Sequence, residues 1–229
     1  MLKIANIVTN FLMTIFDRSW KYSNKSYSQE GEDLVLSKYL EAKKEGFYVD
    51  VGAHHPFRFS NTYLFYKRGW SGINIDATPG SMVLFKKYRP RDINIEFAVS
   101  DKRGPLQYFI FDEPALNGFS ARLSANRAKN TKYKIEQIVK LKSKKLSYLL
   151  DKFIPRDTFI DFMNIDVEGS ELGVLRSNNW YKYAPGYILV EVLVPNLEAV
   201  LKSKIYLFLK NKGYELATFS GRTAIFRKI

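Results

Sequence analysis

The chain has 229 residues, a formal net charge of +13 and no cysteine. Its length suits one large domain, and its 46% hydrophobic and 15% aromatic residues are enough for a substantial core, which argues against disorder. The absence of cysteine excludes disulfides, thiolate catalysis and Cys-based zinc or iron–sulfur sites. It is compatible with a reducing cytoplasm, the location that we expect.

Residues 1–26 are predicted to form an amphipathic helical extension before the main domain. Apolar residues recur at helical spacing from Leu2 to Phe16. The stretch is too short and too polar to span a bilayer, and it lacks the small-residue cleavage site of a signal peptide. Flanking basic residues would let it rest on anionic lipid at the inner face of the membrane. The alternative is a helix packed on the domain or on a partner subunit.

Residues 27–229 are predicted to form one domain in which strands and helices alternate. After a first helix that ends near Gly46, strands are predicted at FYVDV (47–51), GINID (72–76), INIEFAV (93–99), PLQYFIF (105–111), QIVKL (137–141), TFIDFMNID (158–166), YILVEV (187–192) and in both halves of GYELATFSGRTAIFRK (213–228). Helices are predicted at 61–68, at 81–88, from about Ser170 and at 197–212. Strands separated by single helices indicate an α/β fold with a parallel sheet and helices on both faces. The tight turn SGR near the end makes one C-terminal strand antiparallel.

A basic insertion is predicted at about 104–145. Residues 121–145 hold nine Lys or Arg and the single acid Glu136, a charge of +8. Such a segment is either a solvated lysine-rich face or a surface for an anionic partner. Its basic residues are not interleaved with aromatic ones as a base-stacking platform requires, so nucleic acid is not the expected partner.

Each of the five predicted parallel strands ends at or near an acid. These acids are Asp50, Asp76, Asp101, the pair Asp166 and Glu168, and Glu191. Ligands of open parallel sheets bind beyond the carboxyl ends of the strands. The first turn, VDVGAHH, lacks the glycines of a dinucleotide fingerprint and has a carboxylate where a phosphate would sit. One acid for an ammonium group and a second, Asp76, for a ribose describe S-adenosylmethionine.

The order of the motifs resembles the FkbM family of S-adenosylmethionine-dependent methyltransferases. The matching pieces are SQEGEDLVL, FYVDVGAHHPFRFSNTYLFYKRGW, GINIDATP, EFAVSDKRG and FMNIDVEGSELGVL. The resemblance implies a Rossmann-like methyltransferase fold with a mostly parallel seven-stranded sheet. It also implies a set of cofactor-binding residues, comprising Asp50, Gly52, Ala53, Asp76, Ala77, Val99, Ser100 and Asp166. Asp101 would lie near the adenine pocket, and Gln29, Glu32 and Asp33 near the mouth of the active site.

The chain departs from this family pattern at two places. Relatives often have one polar residue and a glycine after DVGA, whereas His54, His55 and Pro56 stand here. Many relatives also have a histidine shortly after the fifth-strand acid, where this chain has Leu193. His54 or His55 is therefore a candidate substitute base or a determinant of acceptor specificity. An adjacent pair without a third histidine does not favour a zinc site.

Methyl transfer to a hydroxyl needs a positioned base or a cation that lowers the hydroxyl pKa. The candidate catalytic residues are Asp166, Glu168, Glu191 and His54. Each has another interpretation: Asp166 could cap the following helix, and Asp50 could satisfy loop amides. Mg²⁺ would be a second cofactor if several of these oxygens converged, and its ligands are unknown from sequence.

The sequence thus predicts an O-methyltransferase that acts on a sugar, a glycan or a similar small alcohol, with an anionic acceptor favoured by the basic insertion. The alternatives are an N-methyltransferase, or a non-catalytic membrane-associated module that retains the fold.

Overall fold

The structure is a computed structural model that describes residues 23–229. Residues 1–22 of the helical extension predicted for residues 1–26 lie outside the described residues, and residues 23–26 form no helix. Residues 23–229 contain ten strands: β1 (Phe47–Val51), β2 (Ser71–Asp76), β3 (Ile93–Glu96), β4 (Ala98–Val99), β5 (Pro105–Phe111), β6 (Ile135–Lys144), β7 (Phe162–Ile165), β8 (Tyr187–Glu191), β9 (Tyr214–Ser220) and β10 (Thr223–Lys228).

Eight α-helices connect these strands within the described part of the chain. They are α1 (Glu32–Tyr39), α2 (Tyr63–Lys67), α3 (Met82–Tyr88), α4 (Ala121–Asn130), α5 (Leu146–Phe153), α6 (Glu171–Ser177), α7 (Leu197–Leu201) and α8 (Lys204–Lys210). A 3₁₀ turn, Pro114–Leu116, precedes α4. None of the helices in residues 23–229 is long and apolar enough to cross a lipid bilayer.

The main sheet has seven strands in the order β3-β2-β1-β7-β8-β10-β9. Strands β3, β2, β1, β7 and β8 run parallel, and β10 is antiparallel to both of its neighbours. The predicted α/β class, with a mostly parallel seven-stranded sheet and one antiparallel strand, is confirmed. From β1, the chain order of the strands runs to β2 and β3 on one side and to β7 and β8 on the other. Ligands of such sheets bind at the carboxyl ends of the strands beside this switch point.

Both faces of the main sheet are buried. Successive residues of the central strands point to opposite faces, and most of these residues are apolar. Val49 and Met163 belong to the core on one face, and Tyr48 and Phe162 to the core on the other. This double burial explains why FYVDV reads as a continuous apolar run interrupted only at Asp50.

The insertion forms a small sheet of its own, in the order β4-β6-β5. β5 and β6 pair antiparallel around α4, and β4 adds to β6 in parallel. The predicted third strand is therefore two strands, since the chain leaves β2 after Glu96 and Ala98 pairs with Ser143 instead.

Two predicted helix boundaries were wrong. The helix predicted at 197–212 is broken at Ser203, whose backbone is extended and whose hydroxyl accepts from the Tyr206 amide to start α8. The first helix ends at Tyr39 instead of near Gly46. Gly46 lies where a Cβ would come within 2.4 Å of the Trp70 ring, so close packing explains this glycine better than a helix stop.

Candidate active site

A cleft opens at the carboxyl ends of β1, β2 and β7, and the insertion covers one side of it. Its empty volume is about 810 Å³, counted out to open solvent. Side chains from both parts of the chain line it. Among them are Asp50, Ala53, His54, Asp76, Ala77 and Val99 from the main domain, and Tyr108, Asn117 and Phe119 from the insertion. Next to the lining residues Phe59 and Pro114, Arg58 donates to both carboxylate oxygens of Glu113 at 2.9 and 3.0 Å.

Gly52 holds the loop after β1 against the loop after β7. Its φ of +86° is in the left-handed region, and a Cβ at this position would lie 1.6 Å from the Asp166 carbonyl oxygen. The Gly52 amide donates to the Ile75 carbonyl at 2.8 Å. Only glycine fits both the conformation and the close approach.

Asp76 joins two loops at the edge of the cleft. Its carboxylate accepts from the His54 amide at 2.9 Å and from the Thr78 amide at 2.7 Å. Each carboxylate oxygen has a further lone pair, so Asp76 can still accept from a ligand hydroxyl. The predicted ribose acid therefore lies in the cleft, already oriented by two amides.

Asp50 is wholly buried beneath the cleft and is held by side chains. It accepts from Thr62 Oγ1 and from Asn164 Nδ2, both at 2.8 Å. Burial raises the pKa of Asp50, while the hydrogen bond from Asn164 and the charge of Arg89 act in the opposite direction. Asp50 therefore accepts from side chains, and not from loop amides as the alternative interpretation had it.

The predicted adenine segment is only partly at the cleft. Val99 lines the cleft together with Phe97. Ser100 is not among the lining residues, and its hydroxyl accepts from the Lys102 amide at 3.1 Å. Asp101 also lies off the cleft, with a carboxylate oxygen 3.2 Å from where a Cβ of Gly173 would be. Ser100 thus stabilises the turn into the insertion, and a role of Ser100 or Asp101 at the adenine stays a prediction.

Three of the predicted catalytic acids converge in a carboxylate cluster, comprising Asp166, Glu168 and Glu191. One oxygen from each lies within 4.8 Å of the others. Glu168 pairs with Arg127 of α4, whereas Asp166 Oδ1 and Glu191 Oε2 are buried with no hydrogen-bond partner among residues 23–229.

The surroundings of the cluster favour protonated carboxyl groups. Burial, followed by the neighbouring charges of Glu168 and Glu171, raises the pKa of Asp166 well above its ordinary value. Burial and the charge of Asp166 raise the pKa of Glu191 to about 10. Burial also raises the pKa of Glu168, against the charge of Arg127.

Glu171, rather than Asp166, satisfies the loop before α6. One oxygen of Glu171 accepts from the Gly169 amide at 2.8 Å and from the Val167 amide at 3.2 Å. Asp166 makes no cap, and Ser170 at the helix N-cap has no side-chain cap bond. The helix-cap interpretation of Asp166 is therefore wrong, and its carboxylate is left for the cleft.

A second, smaller cavity adjoins the cleft at Asp166. It is lined by residues of the N-terminal segment, of the loop after β1, of the ends of β7 and β8 and of the β9–β10 turn, namely Gln29, Glu30, Glu32, Phe59, Asn61, Asp166, Glu191, Arg222 and Thr223. Gln29, Phe59 and Asp166 line both spaces. The carboxylate cluster therefore stands at the junction of the cleft and the second cavity.

The two histidines have separate environments. His54 lines the cleft, its Nε2 is buried without a partner in the described chain, and burial lowers its pKa, so that the ring is neutral at pH 7. His55 Nδ1 accepts from the Phe57 and Arg58 amides at 3.3 and 3.1 Å, which places it in a local turn. His54 is thus the member of the pair that faces the cleft.

The polar residues of the N-terminal motif SQEGEDLVL also lie in separate environments. Asp33 is fully buried and accepts from the Tyr27 amide at 2.7 Å and from Ser28 Oγ at 2.9 Å, which fixes the turn before α1. Gln29 and Glu32 line the second cavity. Gln29 therefore lines both the cleft and the second cavity, Glu32 lines only the second cavity, and Asp33 shapes the segment.

Several polar residues of the site were missed from the sequence. Asn61 donates to Asn164 at 2.9 Å, and Asn164 in turn donates to Asp50. The triplet SNT after the loop and the asparagine of FMNID were visible signals, since polar residues next to buried strands need partners. Tyr108 and Arg222 had no such signal, because long-range folding brings them to the site.

Comparison with known proteins identifies the family. Residues 50–216 match the model described as Methyltransferase FkbM domain. No curated protein matches the chain. Among solved structures, it is similar to a TehB-like SAM-dependent methyltransferase from Corynebacterium glutamicum, with 12% identity, 98% of this chain and 100% of that chain covered, and a TM-score of 0.45.

Two further structures are similar at the same level. A proposed RNA methyltransferase from Pyrococcus horikoshii has 10% identity over 87% of this chain and 84% of that chain, with a TM-score of 0.45. A precorrin-6y C5,15-methyltransferase from Geobacter metallireducens has 13% identity over 90% and 93%, with a TM-score of 0.41. The assignment rests on the domain match alone. The chain belongs to the FkbM family of S-adenosylmethionine-dependent methyltransferases.

Proposed function

We propose that this methyltransferase transfers the methyl group to a hydroxyl of a small alcohol, such as a sugar or a glycan end. The observation that carries the proposal is Asp166 Oδ1, a buried carboxylate oxygen with no partner in the described chain, where the cleft meets the second cavity. A hydroxyl is a poor nucleophile and needs such a proton acceptor, whereas an amine needs less help.

The cleft suits S-adenosylmethionine. Asp76 is oriented by two amides and can accept from ribose hydroxyls, and Gly52 lets the β1 loop pack directly on the Asp166 backbone beside the cleft. Ala77, Val99 and Tyr108 supply apolar and aromatic lining for a purine. These residues would hold the cofactor.

The chemistry of the transfer assigns a role to the carboxylate cluster. When bound, S-adenosylmethionine supplies a sulfonium methyl group, whose S–C bond breaks with its electron pair left on sulfur as the acceptor oxygen forms the new C–O bond. The hydroxyl proton passes to the carboxylate of Asp166. A raised pKa makes this carboxylate a stronger base once it is ionised. Glu168 and Glu191 face the same point, and His54 lies along the cleft as a neutral imidazole.

The acceptor that we propose is anionic. Lys140 and Lys142 lie exposed on β6 and have no acidic partner in residues 23–229. Arg127 comes from the same insertion and reaches the cluster through Glu168. A nucleotide-linked sugar or an acidic glycan would be attracted by this charge.

A panel assay tests the reaction. We expect S-adenosylhomocysteine formation with nucleotide-linked sugars, and Asp166→Asn should lower kcat roughly 10²–10⁴-fold with little change in cofactor affinity. Asp157→Asn is the matched control, because Asp157 is an exposed residue whose left-handed backbone asparagine also tolerates. Product mass spectra with the corresponding amino sugars decide between oxygen and nitrogen. Methylation of the amine alone would contradict the proposal.

Cofactor binding is tested separately by calorimetry with S-adenosylhomocysteine. Asp76→Ala should weaken binding about tenfold or more, because a ribose partner and the anchor of two loops are lost together. A folded wild-type sample that binds neither S-adenosylmethionine nor S-adenosylhomocysteine would overturn the assignment of the cleft.

A further inference from the structure

We propose that the carboxylate cluster of Asp166, Glu168 and Glu191 binds one divalent cation of the Mg²⁺ or Mn²⁺ type. The first observation is convergence. The three acids come from the ends of two adjacent strands, β7 and β8, and one oxygen from each lies within 4.8 Å of the others. Two oxygens bound to one ion lie at most about 4.2 Å apart for Mg²⁺ and at most about 5.2 Å apart for Ca²⁺. One ion can therefore bind all three carboxylates after a small inward shift of their side chains.

The second observation is independent of this convergence. Glu191, which contributes a carboxylate oxygen to the cluster, is only 5% exposed, and its Oε2 is buried without any hydrogen-bond donor from residues 23–229. Asp166 Oδ1 is in the same condition. Buried polar atoms in folded proteins normally have a partner, and a carboxylate without one is costly. Both orphan oxygens therefore call for a cationic or protic occupant.

The local charge fits a divalent ion. A bound cation would keep the three carboxyl groups ionised, because a carboxylate that binds a metal must be deprotonated. In that state they carry −3, and the ion pair of Glu168 with Arg127 compensates one of these charges. Arg222 also lines the second cavity, but its Nε donates to Glu30 at 3.1 Å. The remaining charge of −2 equals that of one divalent ion with the opposite sign.

The ligand chemistry selects the kind of ion. All three groups are carboxylates, and hard oxygen donors suit Mg²⁺, Mn²⁺ or Ca²⁺ rather than zinc or copper. The cluster lies at the junction of the cleft and the second cavity, so coordination positions beyond the three carboxylates face open space. Mg²⁺ keeps several such positions for water or substrate oxygen.

The strained backbone at Glu168 supports a functional arrangement. Its φ of +55° is left-handed, a conformation that is unfavourable for a non-glycine residue. Such strain persists where the surroundings hold a residue in place for function. At Glu168, the left-handed turn precedes Gly169 and directs the carboxylate toward Asp166.

A cation here would lower the pKa of an acceptor hydroxyl while Asp166 accepts the proton. This role rests on the proposed O-methyl transfer, whereas binding of the cation does not. The two are therefore tested by different measurements.

The binding test uses Mn²⁺ with chelator-treated full-length protein. Loss of the electron paramagnetic resonance signal of free Mn²⁺ should show one saturable site per chain. Glu191→Gln and Asp166→Asn should each weaken it roughly tenfold or more, and Mg²⁺ should compete. Glu198→Gln is the control, since Glu198 is an exposed acid on α7 paired with Lys202, and it should bind Mn²⁺ as wild type does.

Circular dichroism and S-adenosylhomocysteine binding show whether each variant is folded. Absence of saturable Mn²⁺ binding by folded wild-type protein would overturn the proposal. Equal binding by the wild type and both cluster variants would overturn it as well, since the ion would then lie elsewhere. Mn²⁺ binding without any hydroxyl methylation would leave the cation site standing and contradict only the proposed function.

Discussion

His54 combines a strained backbone with a buried, unpaired ring nitrogen. Its φ is +54°, and its Nε2 has no partner in the described chain. The described non-glycine residues with left-handed φ are His54, Phe59, Asp157 and Glu168, and all but Asp157 line the cleft. Strain concentrated at a cleft is typical of functional sites.

The lowered pKa of His54 gives a pH-dependent stability. Its folded-state pKa lies below the ordinary value of 6.5 because of burial. The unfolded chain therefore takes up a proton first, and stability is lost as the pH falls from about 6.5 toward the folded-state value. His54→Asn should flatten this loss between pH 7 and 5, because asparagine does not titrate and tolerates left-handed φ.

The pH series is measured by urea unfolding at several pH values. His54→Ala should show the same flattened profile, but its free energy of unfolding should be about 1 kcal/mol lower than that of His54→Asn at every pH, because left-handed φ is less favourable for alanine than for asparagine. A His54→Asn profile as steep as that of the wild type would show that other groups cause the acid loss, for example the half-exposed His55.

At the scale of elements, three loops are locked together at the carboxyl edge of the sheet. Gly52 brings the β1 loop onto the Asp166 backbone, Asp76 ties it to the β2 loop, and Asn164 of β7 bonds Asp50 of β1. Beneath them, the fully buried Arg89 donates to Thr62 Oγ1 at 2.9 Å. The cleft is thus preorganised by neighbouring elements instead of by a single loop.

Gly52→Ala should separate the β1 loop from the β7 loop. We expect a loss of about 2–4 kcal/mol in the free energy of unfolding, together with at least a roughly tenfold loss of S-adenosylhomocysteine affinity. Gly69→Ala provides the control, because Gly69 has φ +100° and nothing within 4 Å of a Cβ. It should lose about 1 kcal/mol from backbone strain alone and bind the ligand normally.

Urea unfolding and calorimetry give the two quantities for both variants. If Gly52→Ala bound S-adenosylhomocysteine as tightly as the wild type, the close approach at Asp166 would have no part in shaping the cofactor cleft.

At the scale of the whole molecule, the charge of +13 is unevenly distributed. The insertion is strongly basic, whereas the carboxyl ends of the parallel strands are acidic. The apolar and aromatic part of the insertion, including Tyr108 and Phe119, lines the cleft. Its lysines alternate outward along β6, which is why the same strand both packs and stays charged. The two surfaces suit an acceptor with an anionic part and a neutral hydroxyl end.

The double variant Lys140→Ser, Lys142→Ser should raise KM for an anionic acceptor roughly threefold or more at low ionic strength, with kcat unchanged. The difference should shrink as salt is added, because screening weakens exposed charges. Lys204→Ser, Lys210→Ser on α8 makes the same charge change elsewhere on the surface. Equal KM shifts in both double variants would mean that net charge, and not the insertion, attracts the acceptor.

Much of the site was predictable from sequence because it follows parallel strands. Asp50, Asp76, Asp166 and Glu191 all stand at strand ends, and parallel strands bring those ends to one edge. Ser100 misled because its strand, β4, leaves the main sheet for the insertion. The local sequence around Ser100 has the same pattern whether β4 pairs with β6 or continues β3 in the main sheet.

The sequence by itself determined the α/β class, the single antiparallel strand and the acids at the edge of the sheet, because apolar periodicity and strand-end polarity are local patterns. Only the tertiary structure decided that Asp166, Glu168 and Glu191 converge, that His54 and His55 separate, and that Glu171 satisfies the loop amides before α6. These outcomes depend on distances between residues remote in the chain, and on which buried oxygen finds a donor. The spacing of residues along the chain determines neither these distances nor these hydrogen-bond partners.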